Sequence, residues 1–333
     1  MKKSYNIIIT LTILVLLLSG CNKLTSKEDV TTLFLANNNI EGYPTSEACD
    51  EFARLVKERT NGRIIIETYH NSVLGDENSS VQQVQVGGID FARVGISSIA
   101  MFEDSLNALQ LPYLYRDEEH MWSVLNGEIG ESFLNSENLK NKGIVGLAWY
   151  TGGSRNYYNT KKEVHTPEDL AGMKIRVQES KLMMGMVTDM GGEPVPMAFA
   201  DVYAAFEKGT LDGAENNWPS YISTSHYKVA KYITIDEHLR IPEMIIASKK
   251  SMDKLSKEDQ AIIEKCAKES TAKQLELWKD YEEESIKTAE KEGCTITYLN
   301  EDEVALFKKS VENLKQIEGA PYKDVIDAIV AVK

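Results

Sequence analysis

The feature that most constrains this chain is an exchange of short apolar strands with amphipathic helices that runs through once and then starts again. Residues 31–36 read as a strand. Ala48, Phe52, Leu55 and Val56 follow at helical spacing, and Asn61-Gly62 supply a stop. The isoleucine-rich residues 63–69 read as a second strand, residues 76–86 as a helix, and residues 89–96 as a third strand after Gly87-Gly88. A β-α-β-α-β order of this kind implies a largely parallel sheet with helices on its faces.

The second round opens with a strand over residues 143–149. Thr166-Pro-Glu-Asp169 carries a capping residue, a proline at the first helical position and an acid three residues after the cap. Residues 173–177 read as a strand. Leu182, Met183, Met186, Val187 and Met190 form a helical stripe that stops at Gly191-Gly192, and these methionines read as core filler rather than a cofactor site. Phe199, Val202, Tyr203 and Phe206 form another stripe, stopped by Gly209. Residues 242–248 read as a strand. Ser256-Lys-Glu-Asp259 opens a long helix to about residue 292, with Ile263, Ala267, Leu275, Trp278 and Tyr281 on one face, and Asn300-Glu-Asp-Glu303 caps a last helix. A length of 333 residues suits two domains, yet no polar linker divides the two rounds. Ordered strands that cross between domains account for this, and such a design suits two lobes hinged around a cleft.

The first residues read as an address. Lys2 and Lys3 precede a largely apolar run of 12 residues, 7–18, too short to span a bilayer of about 30 Å and fitting the hydrophobic stretch of a signal peptide. Leu18-Ser-Gly-Cys21 is similar to a bacterial lipobox, in which the cysteine is lipidated and becomes the mature N-terminus. The expectation is removal of residues 1–20, lipidation of Cys21, and a polar tether over residues 21–29 that reaches roughly 15 Å as a flexible coil. That places the protein outside the cytoplasm, anchored to the cell membrane.

Charge narrows the partners. The chain carries 37 Lys and Arg against 51 Asp and Glu, a net −14. Loss of residues 1–20 takes two lysines, leaving 35 against 51, or −16. A surface this acidic argues against broad nucleic-acid binding, which needs cations to displace counterions. The remaining cysteines, Cys49, Cys266 and Cys294, form no C-x-x-C and allow at most one internal disulfide; buried reduced thiols are the simpler reading. No G-x-S-x-G, P-loop or H-E-x-x-H motif occurs, the five histidines have no metal spacing, and neither a metal nor a cofactor is expected.

Two arginines stand out. Arg155 lies in Thr151-Gly-Gly-Ser-Arg155-Asn-Tyr, just after an expected strand, and Arg176 lies inside the apolar strand Met173-Lys-Ile-Arg176-Val. Such an arginine is either paired with a structural acid or aims its guanidinium fork into a cleft to hold a carboxylate by two parallel hydrogen bonds.

Across nearly the whole mature chain the sequence resembles the DctP-like family of extracytoplasmic solute-binding proteins of TRAP transporters. The resemblance rests on Thr60-Asn-Gly-Arg63, Leu74-Gly-Asp-Glu77, Gly88-Ile-Asp-Phe91, Asp169-Leu-Ala-Gly-Met-Lys-Ile-Arg-Val177, Pro194-Val-Pro-Met-Ala-Phe199 and Asp212-Gly-Ala-Glu-Asn216, in this order and spacing. It implies an α/β, two-lobed periplasmic-binding-protein-like fold with a ligand cleft between lobes and a long C-terminal helix. Lobe I is expected from residues 30–151 with 243–281, and lobe II from 152–242 with 282–333. It further implies that Arg176 binds the ligand carboxylate, assisted by Arg155 and Asn216. The chain departs from the common pattern at Asn217, where many members have proline; here Glu215-Asn-Asn-Trp-Pro-Ser-Tyr221 places it two positions later. That run, with His226-Tyr-Lys-Val-Ala-Lys231 and Asp236-Glu-His238, is similar to the hexuronate-binding branch.

Further ligand contacts are expected from Arg93, at the carboxyl end of a strand where open parallel sheets bind ligands, and from Glu77, which opens a helix. Asn39, in the loop after the first strand, and His238, just before a crossover strand, complete the expected set. Trp218 fits either a sugar-stacking or a core role. The function so implied is that of a monomeric lipoprotein, without enzymatic activity, delivering glucuronate or galacturonate to TRAP membrane subunits. An aldonate, sialic acid or a C4-dicarboxylate is the alternative ligand, and a solute sensor or a surface enzyme on acidic sugars the alternative role.

Overall fold

The computed structural model describes residues 30–333. The signal segment, Cys21 and the tether to residue 29 lie outside the described residues. One nine-stranded sheet organises the molecule: β1 (Thr31–Asn37), β2 (Ile64–Tyr69), β3 (Phe91–Gly95), β4 (Ile144–Asn159), β5 (Lys174–Val177), β6 (Glu193–Pro196), β7 (Gly213–Asn216), β8 (Tyr232–Ser248) and β9 (Thr295–Tyr298). The order is β2-β1-β3-β8-β4-β7-β5-β6, with β9 beside β8. The expectation of a largely parallel sheet holds at the two ends, where β2-β1-β3 and β7-β5-β6 are parallel. It fails in the middle, where β3, β8, β4 and β7 pair antiparallel. The reason is the length of β4 and β8, 16 and 17 residues, which pair from Ile144–Ser248 to Asn159–Tyr232 and so belong to both ends. Only the first part of β4 and the last part of β8 read as strand in the sequence, because glycines and polar residues interrupt the apolar run beyond them.

The pairing of β4 with β8 shifts register at three places, between Gly146 and Ala148, Thr151 and Ser154, and Arg155 and Tyr157. Each shift adds twist and re-aims the side chains that follow. The middle one is Gly152-Gly153, where the 35-residue helix Lys257–Lys291 crosses. Gln274 closes the break by donating to Thr151 O at 2.9 Å and accepting from Thr151 N at 3.1 Å. Trp278 lies flush on Gly153, whose φ is +62°. A Cβ there would sit 2.7 Å from Trp278 Cζ2. Gly153→Ala therefore combines left-handed strain with overpacking, and chemical denaturation should show a loss of about 2–4 kcal/mol.

Caps placed the helices well. Asp76 accepts from Ser79 N at 2.7 Å to open Glu77–Val86, which ends on left-handed Gly87. Asn300 and Glu303 form a reciprocal capping box. Thr166-Pro-Glu-Asp169 makes only the 3-10 turn Pro167–Leu170. The expected last helix is three, Glu301–Ser310, Glu312–Gly319 and Lys323–Ala331. The sequence reading passed over the short helices between Glu118 and Asn141, whose Met121, Val124, Leu125, Phe133, Leu134 and Leu139 enter the main core. Met183, Met186 and Met190 are core residues as expected. A second core lies under β1–β3 and a third under the other end, where Trp218 packs on Tyr221. The three described cysteines are free thiols; Cys49 and Cys266 are buried and Cys294 half-buried.

Candidate functional site

Arg176 lies in β5, flanked by buried Ile175 and Val177, and is itself only 3% exposed. The proline-flanked turn after β6 holds it: Nε and Nη2 donate to the Met197 carbonyl at 3.0 and 2.8 Å, and the guanidinium lies 5.9 Å from the Phe199 ring centroid. Among the described residues no carboxylate is within ion-pairing distance, and Nη1 has no protein acceptor. Burial pushes its pKa down, opposite to the upward shift of Arg93 and Arg155. This is a cation removed from water without a counter-ion, the costly arrangement that a bound anion relieves.

Arg155 is built the other way. It follows the middle register shift of β4, which turns it towards β7. Its Nε and Nη2 engage both carboxylate oxygens of Glu215, with Nη2 to Oε1 at 2.7 Å, and Nη1 donates to Asn216 Oδ1 at 2.9 Å. Behind Glu215 lies His238, with Nε2 at 3.5 Å from Glu215 Oε2 and Nδ1 at 2.8 Å from Asp236 Oδ2. The imidazole stacks on Tyr157 at 4.4 Å. Burial raises the Glu215 pKa, but Arg155 and His238 outweigh it and hold the carboxyl at about 2. Burial also opposes the charged form of His238, but Asp236 and Glu215 lift it to about 9. Glu215 and His238 are thus charged near neutrality, while burial pushes the Asp236 carboxyl up against the opposing pull of His238; the row Asp236, His238, Glu215, Arg155 fixes Arg155 and Asn216 from behind.

The sign of the pH dependence follows. His238, at about 9 in the fold against an ordinary 6.5, contributes stability that is complete below pH 6.5 and lost as pH rises through 9. Glu215, at about 2 against 4.5, contributes stability present above pH 4.5 and lost as pH falls towards 2. The melting temperature of the ligand-free protein should therefore fall between pH 6.5 and 9, and His238→Asn should flatten that fall; an unchanged slope would remove His238 as its source.

Facing Arg176 across the cleft is the group around Arg93. Its Nε and Nη2 donate to Asn37 Oδ1 at 3.0 and 2.7 Å, and Nη2 also meets Asn38 and Asn39. Nη1 lies 3.1 Å from Glu77 Oε1 and 3.0 Å from Glu243 Oε1. Glu77 is the first residue of its helix and also accepts from Gly95 N at 3.2 Å. It reaches over the cleft to Gln178, which donates to Oε2 at 3.3 Å, and next to it Asn78 donates to Glu179 at 2.9 Å. These bonds tie the two banks together.

One cavity is lined by Arg176, Arg155, Asn216, Arg93, Glu77 and Asn39, together with Asn38, Gln178, Phe199, Asn217, Ser220 and Glu243. It opens into a neighbouring space that shares Asn38, Glu77, Arg176, Gln178 and Phe199. Six of the seven residues singled out in the sequence thus meet on one cavity. His238 does not; it is buried behind Arg155 and acts on the cleft through Glu215. Trp218 lies in the third core, away from the cleft. Asn217 caps the helix Trp218–Ser223, accepting from Ser220 N at 2.7 Å and donating to Gly152 O at 2.8 Å, which explains why proline moves to the second helical position. Sequence reading missed Glu215 and Glu243 because isolated acids in an acidic chain carry no signal. It missed Asn37, Asn38 and Gln178 because a neutral amide carries no signal by residue type alone. Only the Asn37-Asn-Asn39 run hinted at a polar loop.

Comparison with known proteins gives a consistent result. The family model described as "Bacterial extracellular solute-binding protein, family 7" (DctP) matches residues 35–318. A solute-binding protein of Chromohalobacter salexigens is 38% identical over 238 residues, 72% of this chain and 70% of its own. Among solved structures, a TRAP periplasmic solute-binding protein of Roseobacter denitrificans with bound β-D-glucuronate is 34% identical with a TM-score of 0.86, covering 91% of this chain and all of its own. Its counterpart from Sulfitobacter sp. NAS-14.1, with bound β-D-galacturonate, is 35% identical with a TM-score of 0.85, covering 91% and 99%.

Proposed function

The chain belongs to the bacterial extracellular solute-binding proteins of family 7, the TRAP solute-binding proteins, and from that premise we propose that its cleft captures a hexuronate, glucuronate or galacturonate, by the sugar carboxylate. The chain is an extracytoplasmic binding protein for small organic acids that works with TRAP membrane subunits, and is not an enzyme. The observation that carries the ligand reading is Arg176, a buried guanidinium with no carboxylate partner in the cavity.

In this reading the Met197 carbonyl orients the fork, and Nη1 with the remaining Nη2 proton donates to the two carboxylate oxygens. Asn216 Oδ1 already accepts from Arg155 and from Asn217 N, so its amide protons are the ones turned to the ligand. Phe199 offers an apolar face to the sugar ring. Glu77, Asn38 and Asn39 meet the hydroxyls at the opposite bank. Water leaves as the banks meet through Glu77–Gln178 and Asn78–Glu179, and the remaining electrostatic contacts strengthen in the lower dielectric. β4 and β8, which run through both ends of the sheet, form the hinge between lobe I (residues 30–151 and 243–281) and lobe II (152–242 and 282–333). The protein acts as a monomer, held at the membrane by lipidated Cys21. Radiolabelled palmitate incorporated by the wild type and lost in Cys21→Ser is the expected outcome for that anchor.

The ligand reading is tested by thermal shift of the purified protein against uronates, aldonates, sialic acid, dicarboxylates and neutral sugars. A hexuronate at 100 times its dissociation constant adds about 2.7 kcal/mol of stability. Stabilisation by neutral sugars alone would sink the proposal. Arg176→Lys keeps the charge but loses the fork, so it should weaken uronate binding by roughly tenfold or more.

A further inference from the structure

The cleft is chemically polarised, and its second bank is built to refuse an anion. Arg93 is the cation there, and its donors are committed. Nε and Nη2 go to Asn37, with Asn38 and Asn39 crowding Nη2, while Nη1 is shared between Glu77 and Glu243 at 3.1 and 3.0 Å. No fork is left for a ligand carboxylate. One guanidinium is set between two carboxyl groups, so with both ionised that bank is net negative. Its remaining acceptor capacity lies on the carboxyl groups: Glu77 Oε2 takes one bond, from Gln178 at 3.3 Å, and Glu243 Oε2 is buried without a partner among the described residues. The opposite bank, with Arg176 unpaired, has the reverse character.

We propose that Glu77 and Glu243 form a specificity pair that accepts hydroxyl groups from the end of the ligand remote from its carboxylate and excludes a second carboxylate there. The substrate class is then the monocarboxylate sugar acid, and aldarates and other dicarboxylates are rejected although the cleft contains three arginines. The inference rests on the reading that Arg176 holds the carboxylate, which fixes the ligand's direction across the cavity. Like charges brought together in a desolvated site discriminate strongly, whereas a hydroxyl at the same place donates to either acid. Burial, with Glu77 adding to it and Arg93 opposing, lifts the Glu243 carboxyl to about 7. Exclusion should therefore relax in acid. The charged and titratable groups facing Glu243 are Arg93, Glu77, Arg155, Tyr43, Cys49 and its cross-strand partner Tyr150, with the Thr45 hydroxyl beside it.

The test is calorimetric titration of the full chain with D-glucuronate and D-glucarate, six-carbon acids with one and two carboxylates. Glucarate should bind the wild type at least ~100-fold more weakly. Glu243→Gln and Glu77→Gln, which keep shape and remove charge, should each narrow that ratio by about tenfold or more. In the wild type the ratio should narrow between pH 8 and pH 5.5, a readout that needs no variant to fold. Glucarate binding within threefold of glucuronate overturns the inference, as does a ratio unmoved by both substitutions and by pH, since the discrimination would then be one of shape. If glucuronate itself does not bind, the function proposed above fails instead.

Discussion

Arg176→Ala is expected to abolish uronate capture while leaving the ligand-free protein as stable as the wild type, or more so. The two halves of that result have one cause. In the free cleft the guanidinium is buried, and its protein acceptor is the Met197 carbonyl, a dipole rather than a charge. Its desolvation is not repaid until an anion arrives, and replacing an unpaired buried charge by a small apolar group removes that cost. With ligand bound, two charge-assisted hydrogen bonds are lost and the ligand carboxylate is left desolvated and unpaired. Truncations of this kind cost about 2–5 kcal/mol, or roughly 30- to 5,000-fold in affinity. Calorimetry with glucuronate and a melt of the ligand-free protein read the two halves separately. A variant that binds uronate with wild-type affinity would displace Arg176 from the ligand, and one that melts far lower would make it a structural arginine.

Glu215→Ala is expected to do the reverse. Glu215 is fully buried between Arg155 and His238 and closes a row that begins at Asp236. Removing it leaves two buried cations, with only Asp236 to balance them. Breaking a buried pair from one side costs about 3–5 kcal/mol, so the ligand-free melting temperature should drop sharply. Uronate affinity should fall too, because Arg155 and Asn216 lose the group that fixes them. Glu215→Gln keeps the shape and one acceptor and should recover part of the stability. Equal melting temperatures for wild type and both variants would show that the row is not ionised as described. The contrast gives a way to separate arginines that hold a ligand from those that hold the fold: the sign of the stability change in the free protein.

The difference between these two arginines was not legible in the sequence. Arg176 stands inside an expected apolar strand and Arg155 just after one, and both were open to a structural or a binding reading on residue type alone. What separates them is a partner 60 residues away for Arg155 and none for Arg176. Glu243 lies 150 residues from Arg93, and no local pattern links them. His238 illustrates the same limit. Its place before a crossover strand suggested a ligand contact, but the pleat turns it to the far side of Arg155, where it orients the site without reaching it.

Local signals did determine much. Period-two and period-3.6 patterns, the caps at Asp76, Ser256 and Asn300, and left-handed glycines such as Gly87 placed most strands and helices, because those preferences act within a turn or a pleat of the chain. The absence of a linker was enough to expect strands that cross between lobes. Tertiary structure alone decided how far β4 and β8 run, that they turn the centre of the sheet antiparallel, and which acid neutralises which arginine. Strand pairing and ion pairing join residues far apart in sequence, and their energies depend on distance and desolvation, quantities that exist only once the chain has folded. That is why an acidic chain of charge −14 can hold, at one place, a cation waiting for an anion.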